Sequence, residues 1–212
     1  MVAYYAERAQ EYERIYEKPE RREQLGELKR LVRDTLAGRR VIEAACGTGY
    51  WTAVAAETAA RITAFDVNES VLELARAKGL DAQRVEFLLG DAYEPPPFAE
   101  SFDAALVAFW WSHMPRRRVD GFLDRLHALL EPGSIVLCLD NTFVPGQSTP
   151  VTRVDADGNT FQTRRLESGH QFEVLKNYPT EEELRAAIGA VAANIEVNWL
   201  RHYWALKYRL CS

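Results

Sequence analysis

Val41-Ile42-Glu43-Ala44-Ala45-Cys46-Gly47-Thr48-Gly49-Tyr50-Trp51-Thr52 is an apolar strand pattern that runs into a small, glycine-bearing turn and then into a helical pattern. Strand, tight loop and helix in that order suit a nucleotide. Small residues at Ala44, Ala45, Gly47 and Gly49 let the backbone approach a ligand whose volume a larger side chain would occupy. The helix expected over about residues 50–58 points its free N–H groups and positive dipole end at the bound molecule. A dinucleotide-binding turn wants a third glycine three positions after the second, where helix and strand pack closely. Thr52 stands there, preceded by the large Trp51, which disfavours a pyrophosphate cradle.

Outward from this turn, strand and helix patterns alternate. Residues 61–65 read as a second strand ending at Asp66, where a carboxylate can accept hydrogen bonds from both hydroxyls of a ribose. Asn68 reads as the N-cap of the next helix and Gly79 as its stop. Residues 85–89 form a third strand running into Gly90-Asp91-Ala92, and residues 102–109 a fourth ending in Trp110-Trp111-Ser112-His113-Met114-Pro115. Pro115 suits the first turn of a helix carrying Phe122, Leu126 and Leu130. After the turn Glu131-Pro132-Gly133-Ser134, residues 135–139 form a fifth strand that stops at Asp140-Asn141. Two helices are expected ahead of the first strand. One covers residues 4–17 with Tyr5, Ala9, Tyr12 and Tyr16 on one face; the other covers about 20–36 with a leucine-rich stripe and Gly38 as its stop. Residues 161–166 and 171–176 read as paired antiparallel strands, and Thr180 with its acidic followers starts the last helix. Residues 195–200 and 203–208 are too close for a crossover helix, so they are antiparallel neighbours.

Composition narrows the class. With 47% hydrophobic and 27% charged residues, the 212-residue chain can bury one full core and reads as a single domain. A formal net charge of -5 gives no long-range attraction to nucleic acid or an anionic membrane. Arg116-Arg117-Arg118 reads as a solvated helix start rather than a phosphate clamp. Cys46, Cys138 and Cys211 are far apart in apolar contexts, so neither a disulfide framework nor a zinc site is expected, and a reducing cytoplasmic setting fits. The chain has no stretch of about 18 apolar residues, and its first residues are charged and aromatic with no apolar run, so no export signal is expected.

Glu43-x-Ala45-x-Gly47-x-Gly49 resembles motif I of the class I S-adenosylmethionine-dependent methyltransferases, with Ala45 in place of the first glycine. The later motifs follow in family order over residues 40–209. The resemblance implies an α/β fold: a Rossmann-like, seven-stranded, mostly parallel sheet with an antiparallel last strand, N-terminal helices and a β-hairpin insertion as cap. It divides the single domain into an N-terminal helical lid (1–38), a cofactor-binding core (40–141), a substrate cap (142–178) and a C-terminal helix with hairpin (179–212). S-adenosyl-L-methionine is the implied cofactor. Its implied contacts are Glu43, Ala45, Gly47, Thr48, Gly49 and Trp51 on the first loop, Asp66 and Val67 at the ribose, Asp91 and Ala92 at the adenine, and Phe109.

The segment Tyr5-x-x-Arg8-Ala9-x-x-Tyr12 is similar to an aromatic N-terminal stretch that folds over the cofactor in many small-molecule members. That adds Tyr12 to the cofactor site and Tyr5 and Tyr16 to the substrate site; aromatics used for helix packing are the alternative. His113, beside Trp110, is the best-placed ionisable residue for a general base, or it only orients its loop. Arg164, Arg165, His170 and Lys176 make the cap basic in an acidic protein, which favours an anionic acceptor unless they simply face water. Asp140-Asn141 is similar to a metal-ligating pair in magnesium-dependent catechol-type O-methyltransferases. The matching positions at the end of the fourth strand are Ala108, Phe109 and Trp110, so no metal is expected. The closer likeness is to O-methyltransferases acting on phosphonates or similar oxyanions. The expected function is methyl transfer to a small molecule by in-line displacement, with an NAD(P)-binding oxidoreductase or a cofactor-binding protein without acceptor as alternatives. No nucleic-acid or membrane partner is expected, and the chain should act as a monomer or homodimer.

Overall fold

The computed structural model of the chain describes Glu13, Tyr16 and residues 18–166 and 168–211. Strands β1 (Arg40–Ala44), β2 (Arg61–Asp66), β3 (Val85–Leu89), β4 (Phe102–Ala108) and β5 (Leu130–Asn141) run parallel. A separate three-stranded sheet holds β6 (Arg153–Val154), β7 (Thr160–Arg165) and β8 (Gln171–Leu175). The chain then returns to the main sheet with β9 (Ala192–Trp199) and β10 (Tyr203–Leu210), and β10 lies antiparallel to both β5 and β9. The seven-stranded order is β3-β2-β1-β4-β5-β10-β9, the expected mostly parallel sheet closed by a reversed strand.

The parallel strands are apolar throughout because helices cover both faces. Ala104, Ala105, Leu106 and Val107 in β4 are all fully buried. One face packs against α1 (Arg22–Leu36), α2 (Tyr50–Ala56) and α3 (Glu69–Ala77), through residues such as Leu28, Val32, Val54 and Leu72. The other packs against α4 (Val119–His127) and α5 (Glu181–Ile188), through Phe122, Leu126, Leu184 and Ile188. Local chemistry sets the helix ends. Asn68 Oδ1 accepts from the Ser70 N–H at the start of α3, and Thr180 with Glu183 forms a capping box on α5.

Three local expectations shift. The segment Glu131-Pro132-Gly133-Ser134, expected as a turn before a strand, is a bulge inside β5, where the register against β4 jumps between Phe102 and Ala104. Residues 116–118 form a 3-10 turn ahead of α4. The cap carries an additional short strand, β6, against the expected hairpin. Strand order reverses at β1, which has β2 on one side and β4 on the other, and that reversal opens a crevice beyond the carboxyl ends of β1 and β4.

Candidate functional site

The crevice holds a cavity of about 300 Å³, at the lower end of the range small-molecule sites occupy. Its floor is the loop after β1, where Ala45, Gly47 and Gly49 have φ of 55°, 55° and 73°. Ala45 adopts this left-handed conformation against a strain of roughly 1–2 kcal/mol. The two glycines serve different purposes. A Cβ on Gly47 would meet nothing within 4 Å, so its missing side chain leaves room in the cavity. A Cβ on Gly49 would stand 2.9 Å from Ala75 Cβ and 3.3 Å from Phe87 Cζ. Gly49 therefore permits α2 to approach α3 and β3, a packing role in addition to its expected place on the cofactor loop. Phe109, just after β4, is left-handed too, at φ 60°. Strained non-glycine backbone thus follows both strands that flank the crevice.

Asp66 ties the loop to β2. Its Oδ2 accepts from the Gly47 N–H at 3.0 Å and its Oδ1 from the Asn68 N–H at 2.9 Å. Each oxygen keeps lone-pair capacity for a hydroxyl. Burial pushes the Asp66 pKa up, and the N–H groups of Gly47, Asn68 and Val67 oppose that rise. Asp91 Oδ1 accepts from the Tyr93 N–H at 2.9 Å, and Val67 and Asp91 face the cavity alongside Asp66. Glu43 and Ala92 do not; both are buried behind the loops. Burial raises the Glu43 carboxyl to a pKa of about 8. The neighbouring Thr52 hydroxyl offsets this only in part, and neither Glu43 oxygen makes a hydrogen bond within 3.5 Å among the described residues.

The other end of the cavity is aromatic. Tyr16 stacks on Tyr50 with centroids 3.9 Å apart, accepts a hydrogen bond from Trp51 Nε1 at 3.2 Å and meets Phe109 edge-on at 5.7 Å. Glu13 accepts from Thr48 Oγ1 at 2.6 Å and pairs with Lys78 at 2.7 Å, which brings the described N-terminal residues onto the glycine loop. Tyr5 and Tyr12 lie outside the described residues. Trp110 lines the cavity beside His113. His113 ends a 3-10 turn (Trp111–His113), and its Nδ1 lies 2.8 Å from the Leu175 carbonyl oxygen. A carbonyl only accepts, so Nδ1 carries the ring proton. Burial and then the Lys176 ammonium push the His113 pKa down to about 3. The ring is a neutral, weak base, which counts against the general-base role.

The cap cations do not converge on the cavity. Lys176 is buried, and its Nζ donates to Ser112 Oγ at 2.6 Å, Asn141 Oδ1 at 3.0 Å and Asp140 Oδ1 at 3.1 Å. These acceptors match the donors of an ammonium, so Lys176 is engaged in the wall rather than poised to grip a substrate. Burial works against ionisation of Asp140, yet Lys176, His113 and the N–H groups of Ser112 and Asn141 outweigh it and hold the pKa below the usual carboxylate value. Arg165 is exposed, and half-buried Arg164 donates to Gln162 Oε1 at 2.6 Å. The arginine run is not merely solvated. Arg116 bonds to the Gly158 carbonyl and to Glu183, while Arg118 lies 3.6 Å over the Tyr93 ring and lines the cavity. Tyr93 and Arg118 were not among the expected site residues. Tyr93 could have been suspected from its place two positions after Asp91, whereas Arg118 arrives by a contact across two loops that no local pattern announces.

This donor set fits an adenosyl cofactor: a partly solvent-facing carboxylate for paired hydroxyls, a second after β3 for an amine, and a small left-handed loop with open space above Gly47. Residues 41–133 match the model of a methyltransferase domain. The demethylmenaquinone methyltransferase of Staphylococcus aureus (strain MRSA252) is 30% identical over 119 residues, 54% of this chain and 48% of that protein. The alignment spans about half the length of the curated relatives it matches. The solved DhpI-SAH complex is 27% identical with a TM-score of 0.79, covering 99% of this chain and 95% of that one. The DhpI-SAM-HEP complex is 26% identical with a TM-score of 0.80, covering 98% and 95%. The solved likenesses extend over nearly the whole chain, and the dinucleotide alternative has no support beside them. The methyltransferase domain matched over residues 41–133, the methyltransferase relatives and the shared fold together support a class I S-adenosylmethionine-dependent methyltransferase.

Proposed function

We propose that this protein transfers the methyl group of S-adenosylmethionine to an oxygen of a small oxyanionic acceptor such as a phosphonate or carboxylate. The carrying observation is one continuous cavity that runs from Gly47 and Asp66 to Trp110 and His113. When bound, the cofactor supplies an electrophilic methyl on a sulfonium. The protein's part is then positioning, with reacting atoms held roughly 3–3.5 Å apart, and exclusion of water. Ala45, Gly47, Thr48, Asp66, Val67 and Asp91 hold the cofactor end. Tyr16, Trp51 and Phe109 supply an apolar wall that keeps water out. An oxyanion is already ionised at neutral pH, so it needs no base, which agrees with a His113 too weakly basic to serve as one.

The likeness to the DhpI-SAM-HEP complex covers the cap and supports a small acceptor. The curated relatives share only part of their length with this chain, so their quinone acceptor does not carry over. Incubation with S-adenosylmethionine and, separately, an alkylphosphonate, an aryl carboxylate and a naphthoquinol tests the reading by mass spectrometry. A methyl ester of the phosphonate or carboxylate, with S-adenosylhomocysteine released, is expected. Methylation of the quinol ring alone would replace the oxyanion acceptor with an aromatic carbon.

A further inference from the structure

All three polar groups of Ser112, the residue before His113, are taken up by two neighbouring elements. Its N–H donates to Asp140 Oδ2 at 2.8 Å, its Oγ accepts from Lys176 Nζ at 2.6 Å, and its carbonyl accepts from the Asn177 N–H at 2.7 Å. Ser112 and Asp140 are fully buried and Lys176 is 5% exposed. The end of β5 and the residues after β8 therefore grip the turn from both sides. We propose that the Lys176–Asp140 ion pair is the positioning element of the cavity's far wall, setting the turn that carries Trp110 and His113 through Ser112. Lys176 and Asp140 are positioning residues here and touch no reacting atom.

The pair also sets the charge beside His113. Among the described residues, the charged groups acting on that ring are Lys176 after β8, Asp140 at the end of β5 and Arg164 on β7; the two cations oppose a proton there and the carboxylate favours one. Removing the ammonium alone leaves a buried Asp140 carboxylate on which His113 is the other cation-forming group that acts. A part that served only to fill space would have no such consequence.

The test uses the full chain as Lys176→Met, Asp140→Asn and the double variant. Denaturant midpoints, the His113 ring-proton titration by NMR and S-adenosylhomocysteine affinity by calorimetry are measured. Each single variant should lower the midpoint, and the double variant should recover more than half of that loss, because it buries no unpaired charge. In Lys176→Met the His113 pKa should rise by at least about one unit, tenfold in proton affinity, with S-adenosylhomocysteine affinity unchanged. If that variant does not fold, the titration is read in the double variant. There too His113 should move up, because the ammonium outweighs the carboxylate. Midpoint losses that simply add, or a His113 titration identical to wild type, would overturn the proposal. Its functional consequence rests on the acceptor binding at the His113 end, but the test needs no acceptor. Coupling and titration shift without methyl transfer to any oxyanion would sink the proposed function alone, and the reverse outcome would sink this inference alone.

Discussion

The two ends of the cavity are built by different means. At the cofactor end the chain uses backbone: left-handed residues at 45, 47 and 49, and N–H groups from Gly47 and Asn68 that converge on Asp66 within a few residues of each strand end. At the His113 end it uses side chains from far apart in sequence, with Ser112, Asp140, Lys176 and Asn177 meeting in a buried polar knot. Backbone geometry is encoded locally and can be inferred from residue type. A knot of side chains is defined only once the chain has folded, so its members look like ordinary polar residues in sequence. If this contrast is sound, substitutions in the knot should unfold the protein without selective loss of cofactor binding. Substitutions at the loop should divide into those that affect packing and those that affect binding.

The largest effect is expected from Asn177→Ala. Asn177 donates to the Met114 carbonyl at 2.9 Å and accepts from the Thr160 N–H at 2.8 Å, and both partners would be left without it in a buried setting. A loss of about 3–5 kcal/mol by denaturant unfolding should result, with S-adenosylhomocysteine affinity of the remaining folded protein unchanged. Gly49→Ala follows at about 2–4 kcal/mol, from left-handed strain together with the clash against Ala75. Its damage should appear as a lowered melting temperature.

Acid comes next. The His113 pKa is depressed in the folded protein, from 6.5 to about 3, so its contribution to stability is present above the unfolded value and is lost as pH falls below it. Asp140 is depressed as well and adds its loss at lower pH. Stability should therefore decline below about pH 6.5, by roughly 2–3 kcal/mol near pH 4.5 from His113, and His113→Gln should flatten that limb. A smaller change in stability is predicted for Gly47→Ala, about 1–2 kcal/mol of strain with no clash. Calorimetry should nonetheless show a clear loss of cofactor affinity, since the new methyl enters the cavity. Equal stability and equal affinity effects at Gly47 and Gly49 would erase the distinction between the two glycines.

Legibility in the sequence follows the same division. The parallel strands, the positions of Asp66 and Asp91 at strand ends, the caps at Asn68 and Thr180 and the closing antiparallel pair were readable because each rests on local pattern or on a connection length, whereas the order of the strands in the sheet does not. The packing role of Gly49 was not readable, because a glycine that relieves a packing clash has the same sequence appearance as one that admits a ligand. The buried setting of Lys176 was not readable, because nothing in sequence announced that Asp140, Asn141 and Ser112 would surround it. Arg118 was passed over as part of a solvated run, since its stacking on Tyr93 depends on two loops meeting.

The central claim is that the loop after β1 and the Asp66 carboxylate receive an adenosyl sulfonium compound. Calorimetric titration of wild type and Asp66→Ala with S-adenosylhomocysteine and with NAD tests it most directly. Wild type should bind S-adenosylhomocysteine and give no heat with NAD, and Asp66→Ala should lose about 1–3 kcal/mol of that binding, or roughly five- to 150-fold in affinity. Binding of NAD in place of S-adenosylhomocysteine, or an Asp66→Ala protein that binds as tightly as wild type, would contradict the account.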